Sequence, residues 1–253
     1  MMARSMAVVT LEFIGCGDAF ASGGRFQTCF LVRGTGGPFL IDCGASAPVA
    51  LQRRGVDVSD IGLVIVSHLH GDHAGGLPFL LLDAAYNRPR TEPLVLAGPP
   101  GIEARVLDTL EALYPGTREA VSARVPVRFV ELESRHEMTF GSVLVTAVDV
   151  EHSPKTPCLG IRVELDGKVI AYSGDTQWTP ALIELSRGAD LFVCECTGFD
   201  EPLYSHLSYA ELSTHASELE AVRMVLTHLG PGMLAHAAEA RWPCADDGLV
   251  IEV

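Results

Sequence analysis

The chain has 253 residues, 48% hydrophobic and 20% charged, enough to bury a substantial core, which excludes a disordered or fibrous protein. A net charge of −14, with only two lysines and dispersed arginines, offers no basic stripe, so DNA is excluded as a partner and RNA is not favoured. No apolar run approaches the roughly 20 residues that span a bilayer, and the start lacks a secretory pattern, so no membrane partner and a cytoplasmic location are expected.

Residues 1–6 are expected to form a flexible start. Strands are expected over 8–14, 29–32 and 39–41, with Gly34-Thr35-Gly36-Gly37 turning between the last two. A helix over 47–54, stopped by Gly55, precedes a strongly apolar strand over 61–67. Helices are expected over 77–85 and 103–113, the second closed by Pro115-Gly116. The second half begins near Val125, with strands over 127–131, 143–150, 160–165, 169–173 and 191–194. Asp166-Gly167 is a hairpin signal, and Thr179-Pro180 opens a helix. Ser208-Tyr209-Ala210-Glu211 matches a capping box for a helix running toward Val222, followed by strands over 224–227 and 249–253. Because the strands that carry candidate site residues come from both halves, the chain reads as one domain over 1–253. The seven cysteines are scattered, with no CxxC pair, and read as reduced, mostly buried thiols.

Four of these apolar strands run into a metal-capable side chain: His68, His152, Asp175 and His228. The segment His68-Leu69-His70-Gly71-Asp72-His73 is the strongest signal. In extended backbone His68 and His70 point the same way, and Gly71 permits a turn that lets Asp72 and His73 face a second ion. Neutral imidazole and carboxylate suit two divalent ions, zinc first, with manganese or iron as alternatives. Two open metal positions need roughly three protein ligands each. His152, Asp175 and His228 complete that count, and Asp175 has two oxygens with which to bridge. His136, His215 and His236 follow no strand and read as structural or solvent-facing. Asp42 also ends a strand and reads as a supporting carboxylate or turn former rather than a ligand.

His68 to His73 resembles the HxHxDH signature of the metallo-β-lactamase superfamily, and the series Asp42, that motif, His152, Asp175, His228 resembles its full motif order over about residues 8–253. The resemblance implies an α/β protein, a four-layer αββα sandwich. It also implies His68, His70 and His152 on one ion, Asp72, His73 and His228 on the other, and Asp175 between them. Phe13-Ile14-Gly15-Cys16-Gly17-Asp18, with Arg25 and Cys29-Phe30-Leu31-Val32, is similar to the start of ribonuclease Z-type enzymes. Cys194-Glu195-Cys196-Thr197 resembles their HEAT segment and Ser205-His206-Leu207-Ser208 their HST segment, with Cys194, Cys196 and Leu207 departing from the usual letters. The resemblance implies that His206 serves as general acid, steadied by Glu195; Asp72 is further expected to orient the attacking water. It also suggests a homodimer.

Members of that branch that process tRNA carry a long arm between the segments that hold His152 and Asp175. Here 22 residues lie between them. The pattern resembles arm-less phosphodiesterases, and the expected substrate is a small or cyclic phosphodiester or an RNA end. Arg25 and Lys155 are candidate phosphate contacts, each also readable as a solvated loop charge. The alternatives are a thioester, lactone or ester hydrolase on the same dinuclear site, and a tRNA 3′-end processing endoribonuclease. A non-catalytic relative is disfavoured because all seven ligand positions are filled. A di-iron oxidoreductase is disfavoured because His70 stands where that group carries Glu.

Overall fold

A computed structural model of the chain describes residues 8–201 and 204–253; the expected flexible start, 1–6, lies outside the described residues. In chain order the first half carries β1 (Thr10–Gly15), β2 (Cys29–Arg33), β3 (Phe39–Ile41), α1 (Ala47–Arg53), β4 (Leu63–Ile65), α2 (Gly71–Ala74), α3 (Leu77–Tyr86), β5 (Leu94–Gly98), α4 (Ile102–Leu113), α5 (Arg118–Arg124) and β6 (Val127–Glu131). The second half carries β7 (Glu137–Phe140), β8 (Val143–Ser153), β9 (Thr156–Leu165), β10 (Lys168–Tyr172), α6 (Ala181–Ser186), β11 (Leu191–Glu195), α7 (Tyr209–Thr214), β12 (Met224–Thr227), α8 (Pro231–Ala235) and β13 (Val250–Glu252).

Two sheets form, in the orders β13-β1-β2-β3-β4-β5-β6 and β12-β11-β10-β9-β8-β7. Strand alternation sorts side chains to opposite faces. Phe13, Phe30, Ile41 and Ile65 face inward against Val145, Ile161, Tyr172 and Val193 of the other sheet. Ile14, Leu31, Leu40 and Val64 face outward and are covered by residues of α1, α3, α4 and α5, such as Leu51, Leu81 and Leu110. On the far side, Ala171, Phe192 and Leu226 pack under Leu182, Leu212 and Met233 from α6, α7 and α8. The expected αββα sandwich is what forms.

The turns follow their sequence signals. Asp166 and Gly167 both take positive φ, +50° and +77°, joining β9 to β10, and the Ser208 hydroxyl accepts from the Glu211 amide at 3.1 Å. The helix so capped stops at Thr214, not near Val222. His215 leaves the helical region (φ −96°, ψ 6°) and stacks on Trp178 at 3.9 Å, so it caps the helix end rather than sitting inside it. The expected strand over 61–67 shortens to Leu63–Ile65, because the Ser67 amide leaves the ladder to donate to Asp42. Six described cysteines are buried, Cys244 is half-buried, and all are free.

Candidate metal centre

Both sheets send strand ends to one edge of the sandwich. β3 runs directly into Asp42, and β4 ends three residues before His68. From the other sheet, β10 stops three residues before Asp175, β11 ends on Glu195 and β12 hands over directly to His228. His152 lies inside β8 rather than past its end. A register shift between Val150 and Ser153 re-aims the side chain there. His70 stands at the N-cap of the one-turn α2, which contains Asp72 and His73.

The seven expected ligands meet in two adjoining groups, His68 with His70 and His152, and Asp72 with His73, Asp175 and His228. In the first, His68 Nε2 and His70 Nδ1 are 3.0 Å apart and His70 Nδ1 and His152 Nε2 3.3 Å. In the second, Asp72 Oδ2 lies 3.2 Å from His228 Nε2 and 3.3 Å from His73 Nε2. Asp175 Oδ2 stands between the groups, 3.2 Å from His73, 3.4 Å from His228 and 3.8 Å from His68.

The opposite nitrogens decide what those inward atoms can do. His73 Nδ1 donates to Asp42 (2.7 Å) and His152 Nδ1 to the Ser205 carbonyl (3.1 Å). His68 Nδ1 meets Ser67 Oγ (3.2 Å), which itself donates to Asp42 (2.8 Å). His228 Nδ1 meets Thr197 Oγ1 (3.1 Å). With neutral rings whose protons are committed outward at Nδ1, the four Nε2 lone pairs of His68, His73, His152 and His228 face carboxylate oxygens and one another, and only an added proton or a cation can satisfy them. His73 Nε2 and Asp175 Oδ1 are buried without any aligned hydrogen-bond partner. A cation resolves this, and metal–nitrogen bonds of about 2.0–2.1 Å set tetrahedral nitrogens roughly 3.3 Å apart, close to the spacing here. The donor set fits a pair of divalent ions.

Electrostatics agree. Burial, with His73 nearby, pushes His68 well below the usual imidazole range, and burial with His152 lowers His70, favouring the neutral form that binds metal. Burial opposes charge on Asp72 and Asp175, yet the surrounding histidines hold both below the carboxylate range. Burial likewise opposes charge on His73, but Asp175, Asp72 and Asp42 hold it well above its ordinary value. A cation among those carboxylates would take over the role of that proton.

Beside the cluster, His206 Nδ1 donates to Glu195 Oε1 at 2.8 Å, and its ring faces those of His152 and His228 at 4.7 and 5.1 Å. Glu195 is buried and fixed by the Thr176 amide (2.6 Å) and the Thr197 hydroxyl (3.0 Å). Burial disfavours a charged His206, but Glu195 more than offsets it, and the pKa is pushed up to about 9.

Asp42 accepts from Ser67 and His73 and stands behind the cluster, in the supporting place expected of it. Arg25 is engaged with Asp246 at 3.4 Å, whereas Lys155 is exposed in the β8–β9 turn. His136 is exposed, His215 bonds Glu218, and His236 stacks on Phe199; none joins the cluster. Sequence reasoning missed Thr197 and Ser205 as orienting groups. Thr197 was legible as the last letter of Cys194-Glu195-Cys196-Thr197. Ser205 acts through its carbonyl, which leaves no side-chain signal.

A family model described as Anti-Pycsar protein Apyc1 matches residues 9–242. The chain belongs to the Anti-Pycsar protein Apyc1 family. Curated relatives of this Apyc1-family chain carry the name ribonuclease Z, and the solved structures it superposes on have the metallo-β-lactamase fold, in line with the expected ribonuclease Z-like hydrolase of that fold. The chain is 26% identical to a ribonuclease Z of Clostridium kluyveri, over 87% of this chain and 88% of the relative. That alignment spans 267 positions, more than this chain has residues, so the relative carries segments this chain lacks. The metallo-β-lactamase-fold protein YhfI of Bacillus subtilis superposes with a TM-score of 0.79 at 20% identity, covering 98% of this chain and 100% of YhfI. The human short-form tRNase Z superposes with a TM-score of 0.76 at 24% identity, covering 96% and 99%.

Proposed function

We propose that the protein is a metal-dependent phosphodiesterase acting on small or cyclic phosphodiesters. The observation that carries this is the Glu195–His206 pair beside the paired histidine–carboxylate cluster, because a phosphodiester leaving group needs a proton that a thioester's does not. His68, His70 and His152 would hold one divalent ion and Asp72, His73 and His228 the other, with Asp175 shared. When bound, the two ions supply Lewis acidity and make water nucleophilic at neutral pH. Asp72 orients the attacking water. Asp42, Thr197 and the Ser205 carbonyl keep the imidazole lone pairs aimed inward. His206, its Nδ1 proton engaged by Glu195, delivers its Nε2 proton to the departing oxygen.

The small-substrate reading is supported by the place where an arm would emerge. β8 and β9 are joined there through Pro154 and Lys155 alone, with Ser153 paired to Thr156. Comparing metal-loaded protein on bis(p-nitrophenyl) phosphate and p-nitrophenyl acetate tests the reaction class. Faster turnover of the phosphate is expected, and a strong preference for the acetate would replace this reading with carbonyl hydrolysis. The name ribonuclease Z on the relative favours a second reading, RNA. Release of 3′ trailers from precursor tRNA in the same assay, without turnover of small diesters, would move the assignment there.

A further inference from the structure

We infer that the cleft between α4 and the β8–β9 turn is a subsite for a second phosphate on the substrate, held by Arg105 and Lys155. This deepens the phosphodiesterase reading and rests on it. The cleft measures about 660 Å³, within the roughly 300–1,000 Å³ of small-ligand sites. Two of its lining residues are carried by the segments that hold cluster residues. Leu69, between His68 and His70, forms part of its wall, and Lys155 lies in the turn that follows the strand of His152.

The opposite wall is the solvent-facing stripe of α4, where Arg105, Asp108 and Ala112 recur at helical spacing with Leu113 beside them. Leu113 is 49% exposed there. Such a wall suits an organic group, and the charges decide which. Asp108 is engaged by Arg118 at 2.6 Å, which removes it as a free anion. Among the described residues, nearly every arginine and lysine side chain has a carboxylate, aromatic or carbonyl partner. Three have none: Arg105, Lys155 and Arg223. Two of those three line this one cleft.

In a chain of net charge −14, long-range steering works against anionic substrates. Two uncompensated cations in one cleft, one of them in the turn that follows the strand of His152, give a local counterweight, and both suit phosphate oxygens. The favoured substrate class is therefore a phosphodiester whose non-reacting portion carries another phosphate, such as a nucleotide esterified at one position and phosphorylated at a second.

The test uses a matched pair of chromogenic esters, thymidine 5′-(p-nitrophenyl phosphate) with and without a 3′-phosphate, on the metal-loaded full chain. A KM lower by about tenfold for the 3′-phosphorylated ester is expected, the scale of two partly exposed ion pairs. The ratio should shrink with added salt. In the double variant Arg105→Gln, Lys155→Gln it should approach one, whereas Arg223→Gln, which removes an equally unpartnered cation elsewhere, should keep the native ratio. Calorimetric binding of thymidine 3′,5′-bisphosphate against thymidine 5′-monophosphate reads the same preference without turnover. Hydrolysis of neither ester counts against the phosphodiesterase reading and leaves the binding arm to decide the subsite. Equal affinities, no binding of either nucleotide, or a preference that survives the double variant or falls equally with Arg223→Gln overturns the subsite.

Discussion

Four of the cluster imidazoles are pinned at the nitrogen that faces away from it, so the geometry of the centre depends on residues that touch no metal. Asp42 matters most among these: its carboxylate accepts from His73 Nδ1, Ser67 Oγ and the Ser67 amide, and Ser67 Oγ in turn meets His68. Asp42→Asn should weaken metal affinity by about 10–100-fold with the fold retained, read by competition titration with a chromophoric chelator. Unchanged affinity would mean the imidazoles need no such support. A different prediction attaches to His206. His206→Ala should lower kcat by about 10²–10⁴ while metal content stays at the native level; loss of metal with activity would make it a ligand instead. With His206 as the proposed general acid, its protonated ring is the working form, and the rate should fall as pH rises through its pKa, which Glu195 raises. Glu195→Gln should therefore shift that alkaline limb to lower pH, visible in a kcat–pH profile. An unshifted limb would separate the fall from His206. Most of these residues were legible because each ligand follows or ends an apolar strand or sits in one six-residue motif. Arg105 was not, since the absence of an ion-pair partner is a property of folded neighbours.

At the level of elements, the site depends on how closely the motif loop packs on the β3–α1 connection. The Gly76 amide donates to the Cys43 carbonyl at 2.8 Å, and a Cβ at Gly76 would stand 2.5 Å from the Gly44 carbonyl and 2.7 Å from Cys43 Sγ. Gly76→Ala should push α3 and the preceding ligands off this seat, costing about 1–3 kcal/mol and lowering Tm by several degrees. Gly62→Ala, where a Cβ meets nothing within 4 Å, is the control. Equal melting of the two variants would remove the packing argument. The same level shows where the sequence was hard to read. β5, Leu94–Gly98, is almost wholly buried, so it shows no alternation, and a five-residue apolar run has no period to betray a strand. β7, Glu137–Phe140, is an edge strand that alternates exposed Glu137 and Thr139 with inward Met138 and Phe140, but four residues are too short a run for that alternation to stand out. The end of α7 was overrun because its cap is local, whereas its stop depends on Trp178, some 37 positions away in sequence but stacked on His215.

For the whole molecule, the two sheets converge on one edge that buries Asp42, Asp72, Asp175 and Glu195 together. Buried carboxylates cost heavily unless compensated, and without metal the compensation falls on protonated His73 and its neighbours. Divalent ions held as proposed would bind only the folded chain, since Asp42, the His68–His73 segment, His152, Asp175 and His228 span nearly 190 positions and an unfolded chain does not assemble them. Such binding would stabilise the fold by linkage, by about 4 kcal/mol for an ion at a thousandfold its dissociation constant. For a chain of this length that corresponds to a rise in Tm of order 10 °C. Chelator-stripped protein should melt lower than protein loaded with zinc by that scale, and re-addition of zinc should restore the higher value. Asp175→Asn, which removes the shared charge between the two groups, should abolish most of the zinc-dependent rise. A stripped protein that melts at the loaded temperature, or a zinc shift that persists in full without Asp175, would show that the cluster does not bind the ions as a unit.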